Sequence, residues 1–200
     1  GALATTMRLA ARGPLEECTG VLEAARRLAA ELGQLSEHVA ALDKGVEEAE
    51  DPRRKARFAS AAADTVAAME GDNAGAAARL EPLLDAGEAD LQLCLRLEYY
   101  AAAAGQTELQ ERALARAAQV VEPDSESPTQ LELWVRLGGV RVALGRFQAA
   151  GEAFRDALEA EPGHPPALGG MENILQTAGN EVPESVIEVL EEAYRAADNP

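Results

Sequence analysis

Five glycines recur along the chain at nearly regular intervals, and this recurrence constrains the fold more than any other feature of the sequence. Each follows an apolar, alanine-rich stretch and precedes a polar residue, and the spacings between them are 38, 34, 40 and 34 residues. Recurrence at this distance is typical of repeat architectures, in which each unit is too small to bury its apolar face and stacks on the next. The sequence therefore predicts units of helix, turn and helix, with turns at Gly33, Gly71, Gly105, Gly145 and Gly179.

The composition indicates a chain built almost wholly from helices. The 200 residues include 43 alanines and only two isoleucines, which favours helices over a large β-sheet. Acidic residues outnumber basic ones by 35 to 18, and the resulting net charge of −17 argues against binding to nucleic acid. Sixteen of the 18 basic residues are arginines, as is typical of a GC-rich bacterial source. No apolar run approaches the roughly 18 to 20 residues of a membrane-spanning helix.

Apolar spacing and local start signals divide the chain into eleven predicted helices. Asp51, which precedes a proline, and Asp72 are predicted N-caps. Ser127 and Gln130 have the spacing of a capping box. The polar segment 123–128 is predicted to be a loop within the array. The predicted helices cover residues 2–11, 15–32, 35–49, 53–70, 73–85, 90–104, 107–121, 128–144, 147–160, 165–178 and 183–197.

A motif between residues 134 and 162 resembles a tetratricopeptide repeat (TPR). The match is strong over residues 131–164 and weaker over the rest of 50–200, and residues 2–49 join by periodicity alone. Arg141 departs from the pattern, because the family usually carries tyrosine there, and we expect that helix face to be less tightly sealed. The residues that carry the resemblance are Trp134, Leu137, Gly138, Gly145, Phe147, Ala150, Phe154, Ala157, Leu158 and Pro162.

The resemblance implies an all-α fold, an α-solenoid of stacked antiparallel helix hairpins that forms a right-handed superhelix. We expect a single array over residues 1–200 with about five hairpins. Close crossing of the two helices around residue 145 requires small residues at Gly138 and Ala150, while Phe154 and Leu158 fill the space around them.

In this family, the first helices of the hairpins line a concave groove that holds segments of partner proteins. The implied register places mostly small, neutral side chains on that groove, which disfavours a clamp for a terminal carboxylate. We expect a partner segment with apolar anchors and basic flanks. Tyr99 is the best single anchor, with packing against the next repeat as the alternative. The predicted peptide-binding residues are Phe58, Gln92, Tyr99, Glu132, Val135 and Asn173, with Ala61, Thr65, Leu95, Gly139 and Gln176 on the same face.

No constellation in the sequence predicts catalysis, a metal centre or a cofactor site. Neither His38 nor His164 has a partner at ligand spacing on one helix face, and His38 is expected to be half exposed. Cys18 and Cys94 stand 76 residues apart without a CxxC motif and are expected to be reduced and buried. The basic cluster 53–57 follows an acidic run, which favours local charge compensation over a docking patch for an acidic segment.

These features together predict a protein–protein interaction scaffold that binds a partner polypeptide in its groove. One alternative is an architectural spacer within a larger multi-repeat protein, and a less favoured one is an enzyme on a helical-repeat scaffold. The expected partner is a protein, a peptide or another domain of a longer chain, and we expect no cofactor, nucleic acid or membrane insertion. We expect a cytoplasmic location, with the periplasm as the alternative.

Overall fold

The structure, a computed structural model, describes residues 2–122 and 128–198. Eleven α-helices lie in these ranges, and their ends fall within two residues of the predicted ones. None of these helices combines the length and the hydropathy needed to cross a bilayer. Apart from Pro128, the predicted loop at 123–128 lies outside the described residues. The helices are α1 (Ala2–Arg12), α2 (Leu15–Leu32), α3 (Leu35–Glu48), α4 (Pro52–Glu70), α5 (Asn73–Asp85), α6 (Leu91–Ala103), α7 (Thr107–Val120), α8 (Gln130–Ala143), α9 (Phe147–Ala160), α10 (Pro165–Thr177) and α11 (Glu184–Asp198).

The chain forms two compact units, residues 1–106 and residues 107–200. In the first unit, every helix from α1 to α6 packs on the next one, and α4 also contacts both α2 and α6. In the second unit, α7 to α11 pack in the same sequential way, with additional contacts between α8 and α10 and between α9 and α11. Each unit is thus a stack of helix hairpins, and the predicted all-α solenoid class is confirmed. A single array over all 200 residues stays a prediction.

The five predicted turn glycines share one backbone conformation. Their φ angles lie between 56° and 69°, in the left-handed region that a residue with a Cβ adopts only at a cost. Glycine therefore lets the helix end and the chain turn, with two or three residues between helices at the first four turns and six at the last, which explains its recurrence.

Side-chain caps begin several helices, and most of the predicted ones are present. The carboxylates of Asp51 and Asp72 accept first-turn backbone N–H groups at 2.9 and 2.8 Å. The predicted cap Ser127 lies outside the described residues, and α8 begins later than predicted. Thr129 caps α8 instead. Its hydroxyl accepts from the Glu132 N–H at 3.2 Å, while the Glu132 carboxylate accepts from the Thr129 N–H at 2.7 Å.

The core of the second unit is built around Phe154, which is 2% exposed. Its ring tip contacts α8 at Gly138 and α10 at Gly170, and a Cβ on Gly138 would lie 2.5 Å from the ring. Ala150 is fully buried, as the close crossing of α8 and α9 predicts. The small residues therefore let the helix backbones approach a large aromatic side chain.

The first unit has a corresponding aromatic core residue, Phe58 in α4. It is 1% exposed, and its ring lies against Gly45 of α3, where an added Cβ would lie 2.9 Å from it. Cys18 and Leu22 of α2 belong to the same cluster. Cys18 and Cys94 are both free and buried, which confirms that prediction.

Arg141 replaces the usual tyrosine of the repeat with a polar network. Its Nε donates to the Glu111 carboxylate at 3.0 Å, and its Nη1 donates to the Ala149 carbonyl at 2.9 Å. Arg146 binds the other oxygen of the same carboxylate. The side chains of Arg141 and Glu111 are only 20% and 12% exposed, so this face is closed by hydrogen bonds rather than left open.

Candidate functional site

The first unit contains a groove of about 500 Å³ whose walls come from three helices. These are α2, α4 and α6, alternate helices of the first unit, and α4 contacts the other two. We call it the α2–α4–α6 groove. It is lined by Thr19, Leu22, Glu23, Arg26, Arg53, Ala56, Arg57, Ser60, Ala61, Asp64, Asp90, Gln92, Leu93 and Arg96.

The floor of the groove is one face of α4. Arg53, Arg57, Ser60 and Asp64 line it at spacings of four, three and four residues, which places them on one side of an α-helix. The adjacent side of α4 carries Phe58 into the core. This helix therefore presents a polar, largely charged stripe to the groove and an apolar one to the interior.

Asp64 organises one end of the groove. Its carboxylate accepts from Arg96 Nε at 3.0 Å and from the Tyr100 hydroxyl at 2.7 Å, joining α4 to α6. Burial, and then the hydrogen bond to Asp64, raise the pKa of Tyr100, so the phenol stays protonated and donates. The charge of Arg96 is thus already matched within the protein.

The basic cluster 53–57 mainly serves the fold. Arg54 donates to the carbonyls of Ala10 and Gly13, the latter at 2.8 Å, and Arg57 donates to the Leu15 carbonyl. The carbonyls of Ala10 and Gly13 lie at the C-terminal end of α1, where a cation is favourable because the last carbonyls of a helix lack intrahelical partners. Leu15 is the first residue of α2. The arginines therefore hold the turn between α1 and α2 against α4, a role that neither sequence interpretation described.

The structure places some of the predicted groove residues of the first unit in the groove and buries others in the core. Ala61 and Gln92 do line the groove. Phe58 is a core residue rather than a peptide-binding one, and Thr65 is 1% exposed with its hydroxyl donating to the Ala61 carbonyl, so both assignments are corrected. Tyr99 is 64% exposed on α6, edge-on to the Tyr100 ring.

The predicted residues of the second unit have mixed surroundings. The Glu132 side chain is exposed and takes part in the capping box of α8, and its assignment as a peptide-binding residue stays a prediction. Val135 is partly buried and packs against the core cluster around Phe154. Asn173 is exposed, and its side-chain oxygen accepts from the Thr177 hydroxyl at 3.0 Å.

His38 is fully buried on α3, although the sequence predicted a half-exposed residue. Within the described part of the chain, neither ring nitrogen has a hydrogen-bond partner. Burial, and then the nearby charge of Arg26, lower the pKa of His38, because both disfavour the imidazolium form. The side chain is therefore neutral at pH 7 and contributes to the core.

Sequence reasoning offered the cluster 53–57 as a less favoured docking patch for an acidic segment but did not place its arginines in the groove, although a signal for this was present. The four-three-four spacing of Arg53, Arg57, Ser60 and Asp64 is a polar helical stripe. The TPR register instead selected residues one position further along, about 100° around the helix. The groove is therefore charged and not neutral.

Comparison with known proteins supports the architecture. No protein-family model matches the chain, and no curated protein matches it. Among solved structures, the chain is similar to YrrB, a TPR protein with an unusual peptide-binding site, with 20% identity, a TM-score of 0.51, and coverage of 90% of this chain and 86% of that one. The chain has a TPR-like fold. Other solved structures similar to this TPR-like chain are MamA (14% identity, TM-score 0.48, covering 85% and 92%) and the TPR-like repeats of a Podosopora anserina putative kinesin light chain (16%, 0.48, 100% and 98%).

Proposed function

We propose that this TPR-like chain is a protein–protein interaction scaffold that binds a segment of a partner polypeptide in the α2–α4–α6 groove. The observation that carries the proposal is a groove of about 500 Å³ walled by three alternate helices of the first unit. The residues of α4 that line the groove run from Arg53 to Asp64, and these eleven residues of helix cover about 16 Å. An extended segment of five or six residues fits that length.

Selection of peptides from a random library on the purified protein tests this proposal. Ser60 is a small, half-buried residue on the groove floor, and Ser60→Trp would fill the space that a peptide needs. Ser36 on α3 is exposed and does not line the groove, so Ser36→Trp is the matched control. We expect Ser60→Trp to abolish binding of the selected peptides and Ser36→Trp to leave it unchanged. Equal binding to both variants would contradict the proposal.

Tyr99 stays our proposed anchor beside the groove. Its ring is 64% exposed and lies three residues after Arg96 on α6, close to the groove face of that helix. Truncating a central aromatic anchor costs on the order of 2 kcal/mol of binding energy. We therefore expect Tyr99→Ala to weaken selected peptides about thirtyfold in a competition assay. A change below about twofold would show that Tyr99 makes no contact with them.

An architectural role is the second candidate function. Leu175, Ile187 and Tyr194 are 41%, 43% and 47% exposed on the hairpin formed by α10 and α11. Large apolar side chains left open on one hairpin favour packing against another domain. Replacing all three with serine would abolish such packing without changing peptide binding in the α2–α4–α6 groove.

A further inference from the structure

We infer that the segment bound in the α2–α4–α6 groove is acidic, and that Arg26 and Arg53 receive its carboxylates. The inference rests on the proposed function and specifies the chemistry of its partner. The groove is lined by four arginines and three acidic residues, whereas the whole chain has 18 basic and 35 acidic residues. The balance of charge in the groove is thus opposite to that of the chain.

The four arginines differ in whether their guanidinium groups already have partners within the protein. Arg96 is paired with Asp64 at 3.0 Å, and Arg57 donates to the Leu15 carbonyl. The guanidinium groups of Arg26 and Arg53, which are exposed, make no hydrogen bond or ion pair within residues 2–122 and 128–198. These two cations are therefore available to a ligand.

The acidic residues of the groove are largely committed to the fold. Asp64 holds Arg96 and Tyr100, and the Asp90 carboxylate accepts the Leu93 N–H at 2.9 Å as the N-cap of α6. Only Glu23 lacks such a role among the groove carboxylates described. A basic segment would find few carboxylates to pair with, so the groove favours an acidic segment over the basic flanks expected from the sequence.

The positions of the two arginines set the spacing of the partner's acidic residues. Arg53 lies in the first turn of α4, whereas Arg26 also borders a second cavity with Thr65 and Met69, near the other end of that helix. Arg53 and Thr65 are twelve residues apart on α4, which corresponds to about 18 Å along the helix axis. An extended peptide covers that distance in about five or six residues.

Small side chains occupy the floor between the two arginines. Ala56, Ser60 and Ala61 leave room there for apolar side chains of a ligand. The partner we infer therefore carries acidic residues at both ends of a short apolar stretch. Guanidinium groups suit those ends, because they bind carboxylates through two parallel N–H donors.

Fluorescence anisotropy with three labelled octapeptides tests the inference. The first has two glutamates at each end and alternating leucine and alanine between them, and its twins carry glutamine or lysine in place of glutamate. We expect the glutamate peptide to bind about tenfold more tightly than the glutamine twin. The double variant Arg26→Gln, Arg53→Gln should remove about that factor from binding of the glutamate peptide alone.

A second double variant controls for the loss of positive charge. The control combines Arg12→Gln with Arg195→Gln, two exposed arginines outside the groove. Both double variants remove two positive charges and take the net charge from −17 to −19. We expect the control to change binding of the glutamate peptide by less than about twofold. An equal loss in both double variants would overturn the inference, because it would reflect overall charge. Circular dichroism melting checks that each variant is folded.

Ser60→Trp distinguishes failure of this inference from failure of the proposed function. If it blocks the glutamate and glutamine peptides alike, and the groove arginines have no effect, the groove binds peptides but not through carboxylates. If the lysine peptide binds best and Ser60→Trp blocks it, the partner is basic and the inference is wrong. If Ser60→Trp alters none of the three peptides, the proposed function fails as well.

Discussion

Gly170→Ala tests whether the tip of Phe154 is held between two helix backbones. A Cβ on Gly170 would meet the buried ring at a distance that real Cβ atoms essentially never show, and the same holds for Gly138 on α8. Overpacking a filled core costs about 1–3 kcal/mol. Replacing glycine with alanine inside a helix gains about 1 kcal/mol from propensity. We therefore expect Gly170→Ala to lower the free energy of unfolding by about 0–2 kcal/mol.

The neighbouring glycine supplies a control that isolates the packing term. Gly169 lies in the same helix, but an added Cβ there meets open space. Gly169→Ala should therefore stabilise the protein by about 1 kcal/mol. The difference between the two variants is the cost of overpacking, about 1–3 kcal/mol, because the propensity terms cancel. Gly138→Ala and Gly139→Ala form a second such pair on α8, since Gly139 also faces open space.

Urea unfolding followed by circular dichroism at the helix band measures these differences. In thermal melts, each kcal/mol corresponds to about 4–8 °C for a cooperative unit of 60–100 residues. Phe154→Leu removes the ring tip, so Gly170→Ala introduced into that background should become neutral or stabilising. If Gly170→Ala stabilises the wild type as much as Gly169→Ala does, the close approach of α9 and α10 at this point is refuted.

Three further variants test single contacts. Thr129→Ala removes one half of the capping box and should lower the free energy of unfolding by about 1 kcal/mol in urea titrations; no change would mean that α8 does not depend on this cap. Arg141→Met leaves Glu111 only its bond to Arg146 and should cost about 1–2 kcal/mol in the same assay, whereas an unchanged midpoint would show the network to be dispensable. The pKa of His38 is lower in the folded state than its unfolded value of 6.5. Its contribution to stability is therefore complete above about pH 6.5 and is lost as the pH falls through the folded-state pKa, because the imidazole must then be protonated. His38→Leu should therefore flatten the fall in melting temperature between pH 7 and pH 5, and parallel curves for the two proteins would contradict this reasoning.

The helices and turns could be predicted because their signals are local. A glycine with positive φ, an aspartate one residue before a proline, and apolar residues at helical spacing each act within one or two turns. The misplaced cap of α8 shows the limit of such signals. Ser127 with Gln130 and Thr129 with Glu132 are both capping patterns, two residues apart, and the structure begins the helix at the second.

The composition of the groove could not be predicted in the same way, because it depends on how α4 is rotated. Alanines cover much of this helix, which contacts α2, α3, α5 and α6, so its apolar residues do not single out one face. A shift of one position exchanges the stripe containing Phe58 for the one containing Arg57. Only packing resolves the choice, since the Phe58 ring fits against Gly45, where a side chain would clash, and this turns Arg53 and Arg57 toward the groove. Gly45 on α3 thus fixes the rotation of α4 that exposes arginines in the groove, and these arginines favour an acidic partner segment over a basic one. We expect a bulky residue at position 45 to disturb peptide binding as well as stability.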